Sequence, residues 1–281
     1  MARSIVGNQP GGLLSDAAGQ MPPPRQIFVL QNVRAMLSLV TNATLTLKAV
    51  LLLDERQRLS LPIFQNARWR TFWAAVFLVS VPVFFQAPLV RYAPSISLLA
   101  TLGWLMLSLW LWNRPRQQLW GDLLFGFTLS WWAGSLYWGW LRTEPLLHLP
   151  VEALPVPIAL LALAFGHFRI GSLFFLGSFL GTCITDFYCM AAGLMPWWER
   201  MMNAEGSNIQ LAQVLPAALA QMHTLPGMIL AAGVSLVLLA ITVRAMQSEK
   251  LHWWAFAGAV FSTLLVDGLF WATANLFLVG S

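Results

Sequence analysis

The sequence predicts an all-α fold, a polytopic transmembrane helix bundle of about seven spans with a cytoplasmic N-terminus. Three observations carry this. Of 281 residues, 58% are hydrophobic and only 10% are charged, against about 25% charged in a typical soluble domain. Several continuous apolar stretches reach or approach the roughly 20 residues needed to cross a hydrocarbon core. None alternates apolar with polar residues, so a β-barrel is a poor reading. Lys and Arg gather on one side of the resulting map.

Residues 1–68 stand apart as an N-terminal extension, expected on the surface or poorly ordered. Pro10, Gly11 and Gly12, then Pro22, Pro23 and Pro24, punctuate it. Arg34 and Lys48 interrupt its one semi-apolar stretch, 27–53. The charged start is followed by Gly, Asn, Gln and Pro rather than an apolar run, so it does not read as a signal peptide. Residues 69–281 form the transmembrane domain. The expected spans are 69–90, 95–112, 121–141, 149–165, 170–194, 226–243 and 253–279. The fourth is opened by Pro150, Pro155 and Pro157 and is short. The long loop 196–225 holds Ile209, Leu211, Val214 and Leu215 among polar residues, so part of it is expected to lie as an interfacial helix.

Alternating the spans from a cytoplasmic N-terminus puts the basic extension, Arg114, Arg116, Arg169, Arg244 and Lys250 on the inner side. Arg91, Arg142 and Arg200 fall on the outer side. Dropping the fourth span would invert the second half and spoil this asymmetry. Tryptophans agree. Trp69, Trp73, Trp110, Trp112, Trp120, Trp253 and Trp254 sit at inner ends, and Trp138, Trp140, Trp197 and Trp198 at outer ends, where amphipathic indoles favour the headgroup level. The net charge of +5 therefore reads as topology. No nucleic-acid partner is expected. The expected partners are the bilayer and a larger membrane complex.

Two aspartates fall inside apolar spans. Asp186 lies 16 residues beyond Ile170, about 24 Å, and Asp267 lies 14 beyond Trp253, about 21 Å. Both helices run from inside to outside, so the carboxylates sit within about one turn of the same depth. An ionised Asp near the bilayer centre costs roughly 2.5–3.5 kcal/mol, and two at one level in different helices point to a shared buried site. Thr182 lies one turn before Asp186. Trp271 and Asn275 follow Asp267 on one helix face. The group reads either as a proton- or cation-handling pocket or as an interhelical hydrogen bond to Thr182, Ser178 or backbone. Gly177 and Gly181 form a GxxxG, which lets another helix approach closely. Internal packing is its expected use.

The loop 142–152 is a polar cluster of Arg142, Glu144, His148 and Glu152. His148 and Glu152 are spaced i, i+4, but Pro150 between them argues against a regular helix. No metal site is expected there, and an ion cluster that locks the loop or docks a partner is. Cys183 and Cys189 point to different faces of one helix, so they form no disulfide within it. There is no GxSxG, HExxH, SxxK or Walker loop, and the four His cannot form one site. The sequence does not identify a cofactor, and it leaves an enzymatic role open while favouring a non-enzymatic one.

Three stretches carry a resemblance: WRTFWAAVFLVSVPVFFQAPLVR (69–91), WGDLLFGFTLSWWAGSLYWGWLRTEPLLHLPVEA (120–153) and IGSLFFLGSFLGTCITDFYCMAAGLMPWWERMM (170–202). The chain resembles, over roughly residues 61–280, an uncharacterised family of cyanobacterial integral membrane proteins with a domain of unknown function. The resemblance implies a cyanobacterial thylakoid or plasma membrane and no mechanism. The segment 121–141 is also similar, more weakly, to a membrane segment of apolipoprotein N-acyltransferases. Their soluble catalytic domain has no counterpart here. The reading is then an accessory or assembly factor for a membrane complex, with a photosynthetic one in view. The alternatives are a small-solute or ion transporter using Asp186 and Asp267, and a membrane-embedded enzyme acting on a lipid or prenyl substrate.

Overall fold

Ten α-helices are assigned among the described residues, and no strand. A computed structural model describes residues 63–204 and 208–280, all within one unit, 49–281. The reading of residues 1–62 as an extension lies outside the described residues. The first helix begins at Ile63, six residues ahead of the expected first span. The helices are α1 (Ile63–Tyr92), α2 (Pro94–Trp112), α3 (Gln118–Leu136), α4 (His148–Glu152), α5 (Val156–Ala164), α6 (Arg169–Ala191), α7 (Met195–Ala204), α8 (Asn208–Met222), α9 (Leu225–Met246) and α10 (Leu251–Gly280). A π-helical turn, Tyr137–Leu141, continues α3, and a 3₁₀ turn, Pro145–Leu147, precedes α4.

Six segments are long and apolar enough to cross a membrane: Ala67–Tyr92, Pro94–Trp112, Pro145–Ala164, Arg169–Ala191, Leu225–Met246 and Leu251–Leu276. The chain is a multi-pass helical membrane protein. The expected span 121–141 is helical but less apolar than these six. Its position explains that. Most of α3 is buried by protein, including Asp122, Thr128, Trp131 and Ser135, so it needs fewer lipophilic side chains than a lipid-facing helix. By contrast α2 exposes Ile96, Leu99, Leu102, Met106 and Trp110, and α9 exposes Leu225, Ile229, Leu236 and Val237. An apolar surface of this extent needs lipid to cover it. The loop 196–225 contains two helices, α7 and α8, where the sequence led us to expect a partial one. On α7, Trp197 and Trp198 are half-buried while Glu199 and Arg200 are exposed.

Prolines and glycines punctuate the chain. Pro94 opens α2 and Pro226 lies in the first turn of α9, where a missing N–H costs nothing. Thr224 caps α9 by accepting from the Gly227 N–H at 3.2 Å. Gly166 and Gly193 end α5 and α6 with φ of +75° and +71°. In each case the following residue closes the turn, with His167 N bonded to Ala162 O and Leu194 N to Cys189 O. This left-handed closure suits glycine because it has no Cβ.

The core forms where α3, α6, α10 and α1 meet. Leu123, Leu124, Phe127 and Trp131 of α3 pack with Phe174, Ala75, Ala255 and Ala259. Small residues set the helix spacing. A Cβ on Gly126 would fall on the Gly171 carbonyl oxygen, and one on Gly171 would fall on the Asp122 carbonyl oxygen. Helices α3 and α6 therefore touch backbone to backbone. At that crossing the buried Asp122 carboxylate accepts from the Gly171 N–H (2.7 Å) and the Ile170 N–H (3.1 Å). It caps the N-terminus of α6 from another helix, satisfying orphan donors at the positive end of the helix dipole.

Gly126→Ala should lower the melting temperature of the detergent-purified protein clearly, since overpacking costs about 1–3 kcal/mol. Gly103→Ala, where nothing lies within 4 Å of the new Cβ, should leave it unchanged. Equal melting of both variants would show that α3 and α6 do not touch.

Candidate functional site

The four prolines between 145 and 157 break the apolar segment Pro145–Ala164 into a 3₁₀ turn and two short helices. Pro150 sits in the first turn of α4, where no intrahelical donor is required. His148 and Glu152 are therefore helical neighbours despite the proline between them. This short helix carries His148 into the bundle, where its residue surface is only 7% exposed.

There it meets Asp186. His148 Nδ1 lies 2.9 Å from both Oδ1 and Oδ2 of Asp186, and Asp186 is 2% exposed. A carboxylate accepts only, so an ionised Asp186 requires the proton on Nδ1. Glu152 Oε1 stands 4.0 Å from the opposite ring nitrogen, Nε2, at the outer limit of an ion pair. The imidazole is boxed by aromatic rings, with centroids at 4.3 Å to Tyr137, 5.6 Å to Trp138 and 5.5 Å to Trp198. Trp138 and Trp198 stack on each other. The π turn after α3 supplies Tyr137 and Trp138, and α7 supplies Trp198, whose indole N–H donates to the Arg142 carbonyl at 3.0 Å. π turns alter the presentation of side chains along a helix and recur at functional sites.

Asp267 approaches from α10. Its Oδ2 accepts from the Thr185 hydroxyl at 2.7 Å. Thr185 precedes Asp186, so the two carboxylates are at one level, but they are bonded to different partners. Asp186, Asp267, His148, Glu152, Arg142 and Thr182 all line one cavity of about 550 Å³. Its remaining wall is partly polar (Gln86, Arg91, Ser130, Ser178, Thr185) and largely apolar (Leu78, Val83, Phe127, Trp131, Phe174, Val266, Phe270). Gln86 is held by a network: its side-chain amide donates to the Trp131 carbonyl and to Ser135 Oγ, both at 3.0 Å, and Ser135 bonds Ser97 at 2.8 Å.

The other residues singled out in the sequence do not bond the aspartates. Thr182 donates to the Ser178 carbonyl at a long 3.4 Å, and neither bonds an aspartate. Trp271 stands 6.1 Å from His223, and Asn275 donates to the Trp271 carbonyl of its own helix at 2.7 Å. Glu144 is exposed. Gly177 and Gly181 face α10: a Cβ on Gly177 would come 2.8 Å from the Phe256 carbonyl oxygen, and one on Gly181 would fall on the Thr263 hydroxyl. Cys183 is buried and Cys189 half-buried, and both are free thiols. Among the described residues, no three His, Cys, Asp or Glu side chains could hold a metal ion. Sequence reasoning missed the contact of His148 with Asp186, the role of Thr185, and Asp122. An acid beside Gly121 and Gly126 in an otherwise apolar helix was the available signal for Asp122.

A family described as Protein of unknown function (DUF3120) matches residues 75–275. The chain belongs to this family. The DUF3120 match begins within α1, ends within α10, and contains every residue of the cavity named above. No curated protein and no solved structure matches the chain.

Removing one member of a buried charge pair costs about 3–5 kcal/mol, because its partner is left uncompensated. His148→Ala and Asp186→Ala should each melt well below the parent in detergent. The double variant should melt no lower than the worse single one, the non-additivity expected of residues in contact. Additive losses would mean that the two side chains do not meet.

Proposed function

We propose that this membrane protein binds a small solute in the cavity between α1, α3, α6 and α10 and moves it across the bilayer. The observation that carries this is a 550 Å³ cavity lined by Asp186, Asp267, Glu152, His148, Arg91 and Arg142 inside a bundle whose outer surface is apolar. Charged groups inside membrane proteins are costly and are kept facing the interior or a water-filled path. A scaffold that only held helices together would gain from filling such a space with packed side chains. An accessory role, which the absence of catalytic motifs favours, gives the cavity no task.

The placement of the chain ends also supports seven alternating crossings. Arg91 at the end of α1, Arg142 just past α3, His148 at the start of α4 and Trp198 just past α6 all reach the same cavity. That convergence favours α1, α3 and α6 ending on one side, with a return after each. The basic residues 114, 116, 169, 244 and 250 at the opposite ends favour a cytoplasmic N-terminus.

The test uses Thr182→Cys on a background with Cys183→Ala and Cys189→Ala. A membrane-impermeant thiol reagent should modify it in right-side-out and in inverted vesicles, because a transport site is reached from each side in turn. Leu146→Cys, exposed in the connection before α4, should react from the outer side only. Modification of Thr182→Cys from neither side would overturn the cavity reading. Modification from one side only would leave binding and remove transport.

A further inference from the structure

Of the carboxylates on the cavity wall, one has no charged partner. Asp186 is engaged by His148, and Glu152 stands beside the same ring. Asp267 has a single hydroxyl, that of Thr185, on Oδ2. It makes no ion pair among the described residues, and it is exposed where it lines the cavity. A positive counterpart offsets the desolvation of a lone carboxylate at this depth. The remaining charges on the wall, Arg91 and Arg142, come from the ends of α1 and α3, whereas Asp267 lies mid-helix on α10.

We propose that the ligand of this cavity is an ammonium-bearing molecule with an apolar body, its nitrogen seated at Asp267. The proposal rests on the reading of the cavity as a solute site and names the solute's class. Three further features fit an ammonium. Phe127, Phe174 and Phe270 line the cavity, and aromatic faces attract cations. The Ser130 hydroxyl on the same wall is buried without a hydrogen-bond partner among the described residues, and a rotation of this short side chain would offer it to a ligand N–H. The volume is that of sites for drug-sized organic molecules, far larger than a bare ion requires. With its nitrogen at Asp267, the ligand's apolar body lies against the apolar part of the wall, which includes Val83 and Val266.

A matched series of probes tests this on the full-length protein in lipid nanodiscs. The probes are 2-phenylethylammonium, the neutral 2-phenylethanol and the anionic 3-phenylpropanoate, titrated at neutral pH by calorimetry. The ammonium should bind at least about tenfold more tightly than the alcohol, as a charge-assisted hydrogen bond requires. The carboxylate should bind most weakly. Asp267→Asn should bring the ammonium down to the level of the alcohol and leave the alcohol unchanged, and Asp267→Glu should retain the preference. Equal binding of ammonium and alcohol, a preference for the carboxylate, or an undiminished preference in Asp267→Asn would overturn the proposal while the cavity stands as a solute site. The wild-type series decides even if the variants do not fold. Failure of all three probes to bind would overturn the proposal together with the solute-site reading.

Discussion

A carboxylate buried in an apolar bundle must find a proton donor, and Asp186 finds His148. The rest of the site follows from that requirement. The imidazole comes from a short helix that begins outside α6, so the segment 145–152 must fold inward to deliver it. Folding inward places the ring among Tyr137, Trp138 and Trp198, which fixes the π turn after α3 and the start of α7 around it. The same inward fold brings Glu152 and Arg142 to the cavity. In a low-dielectric setting a satisfied polar network rigidifies its surroundings, and a half-satisfied one is costly. The pair therefore acts as a latch for the end of the bundle where α3 and α6 finish.

The other half is held by close backbone contact. Gly126 against Gly171, and Gly177 and Gly181 against α10, bring α3, α6 and α10 close enough that the polar backbone of one helix is within reach of another. Asp122 uses this proximity to cap α6 from α3. In membranes, helices gain little from hydrophobic burial against one another, so small-residue packing and interhelical hydrogen bonds carry association. The cavity opens beside these contacts, along the face of α6 that carries Phe174, Ser178, Thr182 and Thr185.

Much of this was legible in the sequence. Continuous apolar runs, Trp at their ends and the asymmetry of Lys and Arg define a helical membrane protein because the bilayer imposes length and composition directly. The common level of Asp186 and Asp267 follows from helix rise alone, and the hydrogen bond from Thr185 to Asp267 joins the two helices at that level. What was not legible depends on tertiary direction. His148 read as part of a loop because three prolines surround it, and nothing in local pattern says whether a broken segment folds inward or outward. Glu152 and His148 were doubted as helical neighbours because of Pro150, yet a proline in a first turn disturbs nothing. Trp271 and Asn275 share a face with Asp267 by helical spacing, but that spacing fixes direction on one helix and says nothing of which neighbour stands there. Asp122 escaped notice because an acid near a helix start is ordinarily at home facing water.

The claim on which the account turns is that His148 reaches into the bundle and donates from Nδ1 to Asp186. The direct measurement is ¹⁵N NMR of the side-chain nitrogens in histidine-labelled protein in nanodiscs, with His148 assigned by its loss in His148→Asn. The account predicts a protonated, hydrogen-bonded Nδ1 whose resonance shifts markedly in Asp186→Asn while those of His167, His223 and His252 stay in place. A His148 with the Nε2–H form of a solvated imidazole, indifferent to Asp186→Asn, would contradict it.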